Sequence, residues 1–255
     1  MGLSPATGAS MSFSSPGHGA LAQVGVALSH GFTGSPVSLQ AWAEYLADQG
    51  FAVKLPLLPG HGTRWEDLAG TRWEQWYRGF EDAYLELADR CEVVFTAGLS
   101  MGGALALRVA QHHPVAGVVV VNPGLTFSDR RARISGLLKY VVKSVPAIGN
   151  DIKLAGVSEQ AYERTPVAAV HQLAGLFADT IAGLPRVTAP TLVFRSTVDR
   201  VVPDSSLDVI SARIGTDQLE VVRLENSYHV ATMDNDAQRI FEGSAAFFRE
   251  HSGGQ

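Results

Sequence analysis

Six residues, Gly98-Leu99-Ser100-Met101-Gly102-Gly103, constrain the fold of this chain more than any others. They set a serine between glycines, the G-x-S-x-G pattern of a sharp strand-to-helix turn with the serine at its apex. The preceding Val93-Val94-Phe95-Thr96-Ala97 is short, β-branched and apolar and predicts a buried strand. The following Ala104-Leu105-Ala106-Leu107-Arg108-Val109-Ala110 has helical spacing. So tight a turn strains the serine backbone, and glycines two residues before and after it remove the Cβ atoms that would clash. The hydroxyl then projects into the open at a helix N-terminus.

The segments around this turn alternate between strand and helix. Val24–Leu28, Ala52–Leu55, Val93–Ala97, Gly117–Val121, Thr191–Arg195 and Leu219–Arg223 read as strands. Helices are predicted from about Pro36 to Gln49, with Ser35 as cap, then Trp73 to Arg90, the run after Ser100, Ser205 to Ile214, and Ala237 to His251. Such alternation builds a mostly parallel sheet with helices on both faces, an α/β fold. It is interrupted once. Residues 125–186 hold helical fragments (Ile134 to Lys143, Val167 to Ala182) and no predicted strand, so they read as a helical cap inserted into a core made of 21–124 and 187–255. In sheets of this kind ligands bind outside the carboxyl ends of the strands, where such a cap lies. The cap's Leu137, Leu138, Tyr140, Val141, Ile148 and Leu154 either line an acyl-binding cavity or pack the cap onto the core. Residues 1–20, rich in Ser, Gly and Pro, read as a flexible tail and lack the basic and apolar regions of a signal peptide.

Composition excludes several functions. A net charge of −5, with no basic run longer than Arg130-Arg131-Ala132-Arg133, argues against nucleic acid. The single cysteine, Cys91, reads as structural, and no Cys/His spacing suits zinc; His112 and His113 read as solvated helix-end residues. No apolar stretch approaches the ~20 residues that span a bilayer. A soluble cytoplasmic protein is the expectation, with transient contact at a lipid surface left open and no expectation about oligomeric state.

A serine hydroxyl attacks only when a base takes its proton, and that base needs an acid to orient it. In this topology the chain order is Ser, acid, His. Beyond His112-His113, the histidines after Ser100 are His171 in the cap, His251 near the end, and His229 in a loop after the last predicted strand, which makes His229 the base. Asp199 follows the strand ending near Ser196 and is the acid. Asp204 reads better as a helix N-cap, and Asp234 and Asp236 follow the histidine and open the last helix. A tetrahedral oxyanion needs two preorganised amides. One is that of Met101, after the serine; the other is Phe32, held by glycines in His30-Gly31-Phe32-Thr33-Gly34, where His30 reads as a structural hydrogen-bonding residue.

Taken together, His30-Gly31-Phe32-Thr33-Gly34-Ser35-Pro36, Gly60-His61-Gly62-Thr63, the Ser100 turn, Asp199 before Val201-Val202-Pro203, and Asn226-Ser227-Tyr228-His229-Val230-Ala231-Thr232 resemble the bacterial carboxylesterases and monoacylglycerol lipases of the α/β-hydrolase superfamily, from about Val24 to Phe248. The resemblance implies a cofactor-free serine esterase with Ser100, Asp199 and His229 as triad and the Phe32 and Met101 amides as oxyanion hole. It extends to Ile148-Gly149-Asn150-Asp151 and Val157–Glu163, where it implies substrate binding by Ile148 and by Glu159, a carboxylate able to accept two glycerol hydroxyls. The chain departs from the family at Arg130-Arg131-Ala132-Arg133 and at Pro146, so acyl length and head group do not carry over. Thioesterase, C–C hydrolase and acyltransferase chemistry share the fold, and a non-catalytic ligand-binding module is the alternative from another class.

Overall fold

Val118-Val119-Val120-Val121 shows how the sheet is built. All four valines are buried, with Val118 and Val120 in the core of one face and Val119 and Val121 in that of the other, which is what a central parallel strand covered on both sides requires. The structure, a computed structural model, describes residues 12–129, 134–147 and 149–253. Nine strands, β1 (Phe13–Pro16), β2 (Val24–Ser29), β3 (Ala52–Leu55), β4 (Val93–Leu99), β5 (Val118–Val121), β6 (Ser144–Pro146), β7 (Arg164–Pro166), β8 (Thr191–Ser196) and β9 (Leu219–Leu224), are assigned among these residues. Seven of them form one sheet in the order β1-β3-β2-β4-β5-β8-β9. Every pairing in it is parallel except β1 with β3. The mostly parallel sheet expected from the alternation is therefore present.

The helices are α1 (Gln40–Asp48), α2 (Trp65–Ala69), α3 (Trp73–Ala88), α4 (Met101–Ala110), α5 (Ser135–Leu138), α6 (Val167–Gly183), α7 (Ser205–Arg213) and α8 (Ala237–Ser252). Helices α1 and α8 cover one face, tied by the Trp42 indole donating to Ser244 Oγ at 2.8 Å. Helices α3, α4, α6 and α7 share the core of the other face. Helix α4 buries every residue but Arg108, which explains why it is apolar all round instead of striped.

The structure corrects several expectations. Within the expected tail, Phe13–Pro16 is an edge strand antiparallel to β3, because the open edge of β3 offers backbone partners that tail composition does not reveal. Between β5 and β8, only Ser135–Leu138 of the predicted Ile134–Lys143 helix is helical, and a strand pair, β6 with β7, closes the insertion where none was expected. Arg130–Arg133 and Ile148 lie outside the described residues. Leu137, Tyr140, Val141 and Leu154 are exposed instead of packed on the core. Val167–Arg186 is long and apolar enough, by length and composition, to cross a membrane, against the reading that no such stretch exists. Here Ala169, Leu173, Leu176 and Phe177 join the sheet's core, which accounts for that composition. His113 is no free helix-end residue: its Nε2 lies 2.7 Å from Glu81 Oε1, while His112 is exposed. Ser35 stands at the expected cap position, yet its hydroxyl makes no capping bond.

Candidate active site

The turn at the end of β4 places Ser100 at φ 56° and ψ −118°, a strained conformation for a residue with a side chain. The reason its neighbours are glycines is steric. A Cβ on Gly98 would lie 2.3 Å from Gly102 backbone, and one on Gly102 would lie 1.9 Å from the Ser29 carbonyl oxygen. The strained backbone is held by its own hydrogen bonds. The Ser100 amide donates to Val121 O at 3.0 Å, and the Ser100 carbonyl accepts from Gly103 at 3.0 Å and Gly124 at 3.1 Å.

Asp199 and His229 meet above the carboxyl ends of β8 and β9. His229 Nδ1 and Asp199 Oδ2 are 2.9 Å apart, with the aspartate side chain fully buried and the imidazole nearly so. Arg195, buried on β8, donates to the same oxygen at 2.6 Å, and the Val201 and Val202 amides donate to Oδ1 at 2.9 and 2.8 Å. Burial pushes the Asp199 carboxyl up, but the His229 hydrogen bond and charge, the Val202 amide and Arg195 outweigh it and hold the group below the usual aspartate value. With Asp199 ionised, Nδ1 is the protonated nitrogen and Nε2 is left to accept a proton.

Asn122 is a residue that the sequence reading missed. It follows β5, the strand between those that lead to Ser100 and Asp199, at φ 44°. Its Nδ2 donates to the His229 carbonyl at 2.8 Å and to Ser196 Oγ at 3.0 Å, and its Oδ1 accepts from the Ser196 amide at 2.8 Å. One buried amide thus ties the His229 loop to the strand end before Asp199. The signal available was a polar residue closing a run of four valines. Arg195, in an otherwise apolar strand, was equally visible.

The loop after β2 carries Phe32. The Gly34 amide turns back to Gly31 O at 3.3 Å, and Thr33 sits at φ 61°, whereas the Phe32 and Met101 amides make no hydrogen bond among the described residues. Two donors are therefore uncommitted, one in the residue after Ser100 and one in the residue after Gly31, where a Cβ would lie 3.5 Å from Ser100 Cβ. Beneath them His30 is fully buried, accepting from the Leu58 amide on Nε2 at 3.2 Å, so that Nδ1–H donates to Gly31 O at 2.9 Å. Burial lowers its pKa to about 4 against a partial offset from the Gly31 bond. His61, 1% exposed, packs edge-on to His30, Phe32 and Trp76. Burial, then the charge of His30, lowers its pKa to about 3. Both rings are neutral supports of the Phe32 loop.

Tyr162, from the segment inserted between β5 and β8, clasps this edge. Its amide donates to Thr33 O at 3.1 Å and its hydroxyl to Gly60 O at 2.8 Å. Glu159 is less free than a solvated charge: its Oε1 accepts from the Asn150 amide at 2.7 Å, while Asn150 Oδ1 accepts from the Glu159 amide at 2.9 Å. The other oxygen, Oε2, faces Gly34, lying 3.9 Å from where a Cβ there would stand.

The rival acids have other work. Asp204 stands at the α7 cap position but gives its carboxylate to Arg195, and Asp236 accepts from the Asn226 amide. Asp234 accepts from the Lys153, Leu154 and Tyr228 amides. Among the described residues no group of three or more His, Cys, Asp and Glu side chains could hold a metal ion.

Residues 22–236 match the family model described as serine aminopeptidase, S33. The chain is 44% identical over 234 residues to the thermostable monoacylglycerol lipase of Bacillus sp. (strain H-257), covering 90% of this chain and 92% of that one. It is 26% identical over 226 residues to a carboxylesterase of Bacillus subtilis (strain 168), covering 88% and 92%. A solved structure from work on the metagenome-derived lipolytic enzymes LipS and LipT superposes with a TM-score of 0.91 at 39% identity, over 96% of this chain and 99% of that one. With the sheet topology, these matches show that the chain belongs to the serine aminopeptidase S33 family of α/β-hydrolases.

Proposed function

We propose that the chain hydrolyses carboxylic esters through an acyl-enzyme on Ser100, with monoacylglycerols as its preferred substrates. The observation that carries the reading is the buried Asp199–His229 pair at the sheet edge where the strained turn presents Ser100. His229 Nε2 takes the Ser100 proton as Oγ attacks the acyl carbonyl, and Asp199 stabilises the imidazolium that forms. The Phe32 and Met101 amides bind the oxyanion, a contribution worth roughly 10²–10³ in rate per donor. His229 then returns its proton to the leaving alcohol. A water, deprotonated by the same nitrogen, cleaves the acyl-enzyme and regenerates Ser100.

The monoacylglycerol preference is supported by the names of the Bacillus sp. relative and by Glu159, whose Oε2 is available to a polyol beside the Phe32 loop. Next to it a cavity of about 300 Å³, its lining about equally polar and apolar, is formed by Ser35, Gly62, Thr63, Gln160, Ala161, Tyr162 and Glu163 and has room for a small alcohol. Residues 125–186 would act as the cap, touching a lipid surface through Leu137, Tyr140 and Val141.

The test is single-site labelling by a fluorophosphonate with a hydrolysis panel of monoacyl-, diacyl- and triacylglycerols, alkyl esters and thioesters. Labelling is expected to vanish in Ser100→Ala, and the monoacylglycerol preference to be lost in Glu159→Ala with simple esters little changed. Labelling that persists without Ser100 overturns the mechanism; equal loss on simple esters overturns the glycerol role.

A further inference from the structure

We infer that Asp151, a residue of the inserted segment, is a positioning residue that sets the separation of the acid and base loops. The inference rests on the triad reading above. Asp151 is 49 residues from Arg200 and 78 from His229 in sequence, yet its Oδ2 accepts from the backbone amides of both, each at 3.2 Å. One of these amides follows Asp199 directly and the other belongs to the base itself. Its Oδ1 accepts from the Arg200 guanidinium at 3.1 Å, and its backbone carbonyl accepts from the Val230 amide at 3.1 Å.

A carboxylate only 8% exposed requires such partners, because an unpaired buried charge is costly. What is unusual is where they come from. A single oxygen bridges two loops whose side chains must meet across the 2.9 Å Asp199–His229 bond. The His229 peptide is then gripped at both ends, its carbonyl by Asn122 from the sheet and its amide by Asp151 from the insertion. Asp234 reinforces the join from the opposite direction, with the Lys153, Leu154 and Tyr228 amides on one carboxylate. Arg200 also stacks on Tyr228, its guanidinium carbon 3.8 Å from the ring centroid. The insertion and the proposed triad are consequently one mechanical unit: moving residues 151–154 moves the base relative to the acid.

The experiment measures kcat and KM of Asp151→Ala, Asp151→Asn and Asp151→Glu on one soluble ester, with enzyme concentration set by fluorophosphonate active-site titration. Titration removes any misfolded fraction, so a role confined to stability leaves kcat unchanged. Misplacement of reacting groups predicts a kcat of D151A lowered on the order of 10–10²-fold with KM within about threefold. D151N keeps an amide-accepting oxygen in place and is expected within about fivefold of wild type. D151E keeps the charge but displaces the oxygens by one methylene, and is expected to fall by about tenfold. If D151A does not fold, the contrast between D151N and D151E carries the test alone. A titrated kcat for D151A within twofold of wild type, or D151E active while D151N is not, overturns the inference. Hydrolysis retained by His229→Ala would instead overturn the triad reading, and the inference with it.

Discussion

On Asp199 a single oxygen, Oδ2, serves both His229 Nδ1 and Arg195, so the carboxylate is held ionised and in place at once. In the proposed mechanism its value to His229 is tautomer control, and replacing the carboxylate by an amide of the same shape reverses that control. Asp199→Asn is expected to fold normally and to lose about 10⁴ in kcat, measured on titrated enzyme; a loss under tenfold would remove Asp199 from the mechanism. Ser100 supports a second prediction at the same scale, because its φ of 56° is tolerated only by the surrounding hydrogen bonds. Strain of this kind costs on the order of 1–3 kcal/mol, and glycine relieves it where alanine does not. Ser100→Gly is therefore expected to be inactive and about 1 kcal/mol more stable than Ser100→Ala, by urea denaturation. Equal stability of the two variants would mean that the turn stores no strain.

The turn between β4 and α4 was legible because its steric demands leave a pattern in the sequence. Gly98 and Gly102 have no room for a Cβ, so they must be glycine, whereas a Cβ on Gly31 would meet Ser100 Cβ at an ordinary 3.5 Å. Gly102→Ala is expected to cost at least about 3 kcal/mol and Gly31→Ala under about 1 kcal/mol. Similar losses for both, measured by denaturant titration, would contradict the close approach of Ser29 to the helix start. The central strands β2, β4, β5 and β8 could be read for a related reason, since strands buried on both faces are mostly apolar. The proposed triad could be read from chain order, as its three residues follow three strand ends. What could not be read depends on partners distant in sequence. Asn122, Arg195 and Asp151 look like isolated polar residues until the sheet and insertion bring their partners to them. Strand β1 was hidden because an edge strand needs a neighbour's backbone more than a composition of its own, and the β6–β7 pair because three-residue strands carry too little periodicity.

At the scale of the whole molecule, the supports of the Phe32 loop make stability depend on pH. His30 and His61 have pKa values of about 4 and about 3 in the fold, against about 6.5 for histidine in an unfolded chain. The sign follows from proton counting. Above pH 6.5 both states hold these rings neutral and no penalty exists; between 6.5 and 4 the unfolded chain binds two protons that the native state excludes, so unfolding becomes easier as pH falls. Each such proton contributes a slope of about 1.4 kcal/mol per pH unit, and the pair up to about 2.7. The depressed carboxyls of Asp199 and Glu81 act in the same direction but lower down, since their contribution is intact above the unfolded carboxylate range near 4. The window from pH 6 to 5 therefore isolates the histidines. His61→Phe keeps an aromatic ring against Phe32 and Trp76 and removes one titrating group. Urea-denaturation free energies measured from pH 7.5 to 5 are expected to show a slope in the variant about 1.4 kcal/mol per pH unit shallower than in wild type between pH 6 and 5. Identical slopes would mean that His61 takes up its proton without unfolding, and the packing of the Phe32 loop on a neutral ring would have to be abandoned.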